Sequence, residues 1–248
     1  MRNIPILLDI HTHCLSSGHG THDTITDMAR MAAQKSLQIL GISDHGPATP
    51  RSAGSSYFRN LHLADKKKFG TELLYGVELN ILNAAGDVDL EDELLETLDY
   101  AFISMHPPTY SSGTEASNTS AYINAMRHPH VRFLGHPDDG RFPVDYERLL
   151  SAAKENHVYP EINNASLMPE AYRVDGLRHS VEILSLCKKM SLPVLLSSDS
   201  HGKKHIGDMQ YIFPLLEQCD FPPHLIINSS TALLRQILGR SQSVCGQR

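Results

Sequence analysis

Seven short apolar runs in this chain each end in a residue able to bind a metal ion. The first is Leu7-Leu8-Asp9-Ile10-His11-Thr12-His13, with His19 a little further on. The others end at His45, Glu78, His106, His136, Glu161/Asn163 and Asp199/His201. A strand that repeatedly delivers an imidazole or a carboxylate at its C-terminal end is what a barrel with a metal site at one mouth requires. The runs do not alternate strictly, which suits strands buried on both faces of a parallel sheet.

The strands expected from these runs are 6–11, 37–43, 73–78, 100–105, 131–135, 158–162 and 194–197, with 221–228 as a last short segment. Helical patterns fall between them. Thr24 caps a stretch that puts Ile25, Met28, Ala29 and Ala32 on one face. Further helices are expected at 117–127, 145–156, 178–190, 205–219 and 230–238. Strand and helix alternate throughout, so the fold class is α/β: a distorted TIM-like barrel of seven βα units in one domain, 1–248. A length of 248 residues fits such a barrel. Residues 47–56 and 110–118 read as long loops at the active end.

Composition narrows the function. Net charge is −6 and the pI is near 6.2, which argues against a nucleic-acid surface. No apolar stretch is long enough to cross a membrane, and the N-terminal apolar run is too short for a signal peptide. Cys14, Cys187, Cys219 and Cys245 are scattered, as in reduced thiols of a cytoplasmic protein. The outlying number is fifteen histidines. Clustered histidine points to metal binding or proton transfer.

The spacing is informative too. Strand residues two apart point the same way, so His11 and His13 can reach one ion, and Asp199 and His201 repeat that logic. His11, His13, His19, His45, Glu78, His106, His136, Asp199 and His201 make nine candidate ligands. One catalytic zinc needs about three protein ligands, so nine suit two or three ions. Zinc fits the imidazole and carboxylate set first, with manganese or iron as alternatives. Asp9 is expected to take the second N–H of a ligating histidine, and Cys14 to pack. His128, His130, His157, His179 and His224 are expected at the surface. His22, His62 and His205 are open.

Several motifs together resemble the PHP (polymerase and histidinol phosphatase) superfamily. They are Asp-Ile-His-Thr-His (9–13), Ile-Ser-Asp-His-Gly (42–46), Gly-Val-Glu-Leu-Asn (76–80), Met-His (105–106), Gly-His-Pro (135–137), Glu-Ile-Asn-Asn (161–164) and Ser-Asp-Ser-His (198–201). Glu-Ile-Asn-Asn and Asp-Phe-Pro-Pro (220–223) look most like its YcdX-type phosphatase branch. The resemblance implies a seven-unit barrel with a trinuclear metal centre and a homotrimeric assembly. By position it implies that His11, His13, Glu78 and Asp199 hold one ion. Glu78, His106 and His136 would hold a second, and His19, His45 and His201 a third.

The expected activity is phosphoester hydrolysis by a metal-activated hydroxide, with a small phosphorylated substrate. Alternatives are a histidinol-phosphate phosphatase of histidine biosynthesis, a non-catalytic metal-stabilised PHP module, and an amidohydrolase. The last would often use a carboxylated lysine on a strand, and no lysine ends a strand here. His22 is a candidate leaving-group acid. Lys203, Lys204 and Asn163 are candidate substrate contacts. The loops 47–60, 107–117 and 203–206 would shape specificity.

Overall fold

A computed structural model describes residues 4–239. Ten strands run through it: β1 (Leu8–Asp9), β2 (Thr12–His13), β3 (Ile39–Ile42), β4 (Lys67–Lys68), β5 (Thr71–Asn80), β6 (Tyr100–Ser104), β7 (Val131–Leu134), β8 (Tyr159–Asn163), β9 (Leu195–Ser197) and β10 (Ser200–His201). Eight helices accompany them: α1 (Ile25–Gln34), α2 (Ser55–Asn60), α3 (Asp92–Leu95), α4 (Glu115–Ala125), α5 (Tyr146–Glu155), α6 (Gly176–Met190), α7 (Ile212–Gln218) and α8 (Thr231–Ile237).

Seven strands pair in parallel in the order β1-β3-β5-β6-β7-β8-β9, and β4 adds an antiparallel edge to β5. The result is the expected α/β barrel, nearly closed. Two apolar layers hold it. The larger lies between strands and helices and joins residues such as Leu40, Val77, Ile103, Leu149 and Leu184. The smaller fills the barrel axis with Leu8, Ile10, Ile39, Leu74, Tyr100, Phe102, Phe133 and Leu195, with Leu234 of α8 beneath. Its members recur at every second strand position, as side chains that share one face of a strand must. Aliphatic and phenyl groups do this work, since the chain has no tryptophan.

The seam between β9 and β1 is closed by a side chain. Asn228 Nδ2 donates to the carbonyls of Leu8 (2.9 Å) and Leu196 (2.7 Å), and its Oδ1 accepts from Leu196 N (2.7 Å). Above the seam, β2 and β10 pair directly, with His201 opposite His13. Segment 221–228 was expected as a strand. It forms two 3₁₀ turns, Pro223–Leu225 and Ile227–Ser229, with one bridge between Val194 and Ile226. Pro222 and Pro223 offer no N–H to a ladder, which is the physical reason.

The helix expected at 205–219 is shorter, only Ile212–Gln218. Gly207 has φ +70° and its N–H is captured by Asp9 at 2.7 Å. Pro214 is tolerated only in a first turn, so the helix cannot extend much earlier. Residues 55–60, expected in a loop, are helical, and the helix expected at 117–127 begins two residues earlier, at Glu115. Thr24 caps α1 as expected, in a reciprocal capping box with Asp27. No helix among the described residues is long and apolar enough to cross a membrane. Cys14, Cys187 and Cys219 are free thiols, and Cys245 lies outside the described residues.

Candidate metal centre

All nine candidate ligands lie at the C-terminal mouth of the barrel, and Glu78 stands at their centre. Its Oε1 accepts a hydrogen bond from His136 Nε2 (2.8 Å) and lies 3.3 Å from His106 Nε2. Its Oε2 lies 2.7 Å from His45 Nδ1, 3.4 Å from His11 Nε2 and 3.5 Å from His13 Nε2. Asp199 Oδ1 is 3.3 Å from His13 Nε2. Phe102 seals the floor, its ring 4.3 Å from that of His11.

Five of the imidazoles share one orientation. His11 Nδ1 donates to Glu161 (2.6 Å), His13 Nδ1 to the Ser17 hydroxyl (2.9 Å) and His106 Nδ1 to Asn80 Oδ1 (2.8 Å). His19 Nδ1 donates to the Ser17 carbonyl and His201 Nδ1 to the Asp199 carbonyl. Ser17 must accept from His13, because its own hydroxyl donates to Asp44 at 2.7 Å. Each ring thereby turns Nε2 toward the others, as a ligating histidine does when its second nitrogen is anchored.

The inward atoms include His11 Nε2, His13 Nε2, His45 Nδ1, Glu78 Oε2 and His201 Nε2, all buried without a hydrogen-bond partner. Buried polar atoms are ordinarily paired. Three groups of ligand atoms lie within 4.8 Å of one another: His11, His13 and Glu78; His45, Glu78 and His106; His13, His45 and His201. The donor set therefore fits divalent ions of the zinc type. The groups differ in part from the partition the resemblance implies. His45 joins the second group and His13 the third, while His136 and His19 stand at the edges. His19 is exposed, its ring stacked 4.9 Å from that of His45.

The electrostatics agree with a cation site. Burial would raise the Glu78 carboxyl, but His106, His11 and His45 outweigh it and hold it well below the carboxylate range. Burial also opposes ionisation of Asp199, yet Arg173 and His11 hold it low. Burial, helped by neighbouring imidazoles, pushes His13 well below its ordinary value. Burial likewise pushes His106 and His201 down to about 4. Such rings are neutral, the form that binds metal. His11 is raised: burial lowers it, but Glu161, Glu78 and Asp199 together prevail. That excess of negative charge around one ring is what a bound cation would balance.

Residues flanking the ligands in the motifs form the supporting layer. Glu161 Oε2 accepts from His136 N at 2.6 Å. Asp44 accepts from Ser17, Cys14 N and Tyr57. Asp9 departs from expectation. It accepts from Ser198 and Gly207, and Glu161 takes the His11 proton in its place. Asn163 departs too. It is fully buried, its amide donating to Glu161 and Asp199 and accepting from Arg173, so it braces ligands and does not face a substrate. Cys14 is buried as expected, its thiol bonded to Asp44.

Arg173 was not foreseen. Its guanidinium donates to Asp199 Oδ2 at 2.6 Å, with both side chains almost fully buried. It sits in the irregular segment before α6, where no periodicity or motif marks it. His136 (φ +28°) and Asp199 (φ +52°) occupy left-handed backbone, strain of the kind concentrated at functional sites. Gly20 lies against the site, where an added Cβ would fall 2.7 Å from His201 Cβ.

The remaining candidates stand apart. His22 is exposed and forms no hydrogen bond, ion pair or ring contact with the cluster among the described residues. Lys203 is exposed and its Nζ is held by Asp23 at 2.8 Å. Lys204 lines a shallow pocket with Asp199, His201 and His205. His179, expected at the surface, is buried, with Nδ1 donating to the Asp138 carbonyl. His62 and His224 are exposed.

No family model matches the chain. Curated proteins do. The probable phosphatase of Clostridium novyi is 35% identical over 223 residues, covering 90% of each chain. That of Caldanaerobacter subterraneus is 36% identical over 246 residues, covering 97% of this chain and 94% of its own. Among solved structures, histidinol phosphate phosphatase from Lactococcus lactis, complexed with zinc, L-histidinol and phosphate, superposes with a TM-score of 0.62 at 15% identity. That match covers 88% of this chain and 95% of the other, and it shows a shared fold. The identity and coverage of the two curated relatives place the chain in their family, that of the probable phosphatases.

Proposed function

We propose that residues 1–248 act as one metal-dependent hydrolase domain that cleaves phosphomonoesters at a centre of three divalent ions, within the YcdX-type branch. One observation carries the reading: five imidazoles anchor Nδ1, and three of them, His11, His13 and His106, bring Nε2 within 3.5 Å of the Glu78 carboxylate. The relatives' names support the reaction class. The zinc of the Lactococcus neighbour supports zinc as the first choice, ahead of manganese or iron. On this reading His11, His13, Glu78 and Asp199 hold one ion. Glu78, His106 and His136 would hold the second, and His19, His45 and His201 the third.

Bound divalent ions supply a water of lowered pKa and neutralise charge on the phosphoryl oxygens. The chain does the rest. Glu161 and Ser17 fix the rings of His11 and His13, and Arg173 and Asn163 fix the Asp199 carboxylate. Phe102 keeps water out from below. Lys204, beside Asp199 and His201, draws the anionic substrate toward the mouth. Histidinol phosphate belongs in the substrate panel, although the neighbour that suggests it shares only the fold. A cytoplasmic location and a trimeric assembly complete the proposal.

His11→Ala and Asp199→Ala should reduce hydrolysis of an aryl phosphate to background while circular dichroism keeps the barrel signature. Native-level turnover in both folded variants would refute the assignment.

A further inference from the structure

A pocket of about 520 Å³ opens directly over the histidine cluster. Its floor is imidazole, and its walls are Pro107, Pro108, Thr49, Arg141 and Tyr172. We propose that this pocket is a leaving-group subsite for a planar ring, with Tyr172 as its platform. The inference rests on the phosphatase reading above and extends it to a substrate class, phosphomonoesters of ring-bearing alcohols.

Geometry sets the direction. An ester whose phosphoryl group sits on the imidazole floor must send its alcohol portion between these walls. The walls have little to give a polyol. The Thr49 hydroxyl already donates to Asn80 Oδ1 at 3.2 Å. The Arg141 guanidinium turns Nε and Nη2 to Asp139, with Nε within 3.0 Å of one carboxylate oxygen and 2.9 Å of the other, and keeps only its outer N–H groups for a ligand. Sugar or glycerol hydroxyls placed there would lose water partners without regaining as many, which costs affinity. Two pyrrolidines, a guanidinium plane and a phenol ring suit a flat apolar group instead.

Tyr172 is built for this. It is 65% exposed, the second most exposed large hydrophobic side chain after Leu63 among the described residues. It is nonetheless held in place. The Arg141 guanidinium carbon lies 5.0 Å from its ring centre and that of Arg173 5.2 Å. Arg173 Nη2 donates to its hydroxyl at 3.2 Å. An aromatic ring fixed in solvent by a buried arginine loses little freedom when a ligand stacks on it. Arg173 Nη2 thus donates both to Asp199 Oδ2 and to the hydroxyl of the platform, joining ligand geometry to leaving-group recognition.

The test is calorimetric binding of benzylphosphonate and propylphosphonate to the zinc-loaded protein. The two share charge and head group and differ by a ring. Benzylphosphonate should bind about tenfold more tightly. Tyr172→Ala should cut that ratio to about twofold, and Tyr172→Phe, which keeps the ring, should preserve most of it. Equal affinities in the native protein, no binding of either, or an unchanged ratio in Tyr172→Ala would overturn the subsite. Hydrolysis of benzyl and propyl phosphate, whose alcohols have similar basicity, separates the two levels. Equal turnover with equal binding overturns the subsite and leaves a phosphatase. Ring-selective binding without turnover upholds the subsite and overturns the phosphatase reading.

Discussion

At the scale of single residues, the ligands could be read from the chain because strand ends expose their chemistry in sequence order. The groups that aim them were only partly legible. Asp44 and Asn80 sit inside the same motifs as ligands, and Glu161 and Asn163 lie in a motif that holds no ligand, so their presence was visible but their partners were not. Asp9 shows why. It lies two residues before His11, yet the hydroxyl of Ser198 and the amide of Gly207 reach it first. Contacts that span 189 positions of chain leave no local pattern. Arg173 had no signal, being a lone cation in an irregular segment. Two predictions belong here. Glu161→Gln should weaken zinc binding by about 10- to 100-fold while the fold persists, because His11 and His136 lose a charged acceptor. Competition with a chromophoric chelator measures it, and unchanged affinity would refute the role. Arg173→Met should destabilise the metal-free protein by about 3–5 kcal/mol, since Asp199 keeps a buried charge without its partner. Urea unfolding of the stripped protein reads that loss, and a change near zero would contradict it.

At the scale of elements, the seven barrel strands followed from short apolar runs and the amphipathic helices from apolar periodicity, because burial on both faces of a strand writes a run and burial of one helix face writes a period. The failures have local causes. Pro222-Pro223 and Gly207 break expected elements, while the short α2 and α3 carry too few residues to show a period. The closing of the barrel was the least legible feature. One side chain, Asn228, joins β1 to β9 through three hydrogen bonds in a fully buried place. Asn228→Asp keeps the shape but removes both donors, so we expect a loss of about 2–4 kcal/mol in urea unfolding, at roughly 1–3 kcal/mol per unpaired buried group. A loss below about 0.5 kcal/mol, the usual size of a surface change, would show that the seam is held elsewhere.

At the scale of the whole molecule, the barrel is an apolar cylinder that carries a dense polar mouth. Buried carboxylates and imidazoles with inward atoms lacking partners are costly in a protein of ordinary stability. Metal binding offsets that cost, so the melting temperature should rise with zinc. At a thousandfold excess over Kd the gain is about 4 kcal/mol. An unchanged melting temperature on zinc addition would mean that the cluster is satisfied without ions. The charge of the whole chain, −6, says little about the mouth, where bound cations set the local sign. The measurement that bears most directly on the central claim is phosphatase activity followed through metal removal and return. Dialysis against a chelator should reduce aryl phosphate hydrolysis to background, and zinc, manganese or iron should restore it, saturating near one ion for each of the three ligand groups. Full activity in protein shown by elemental analysis to be free of metal would contradict it.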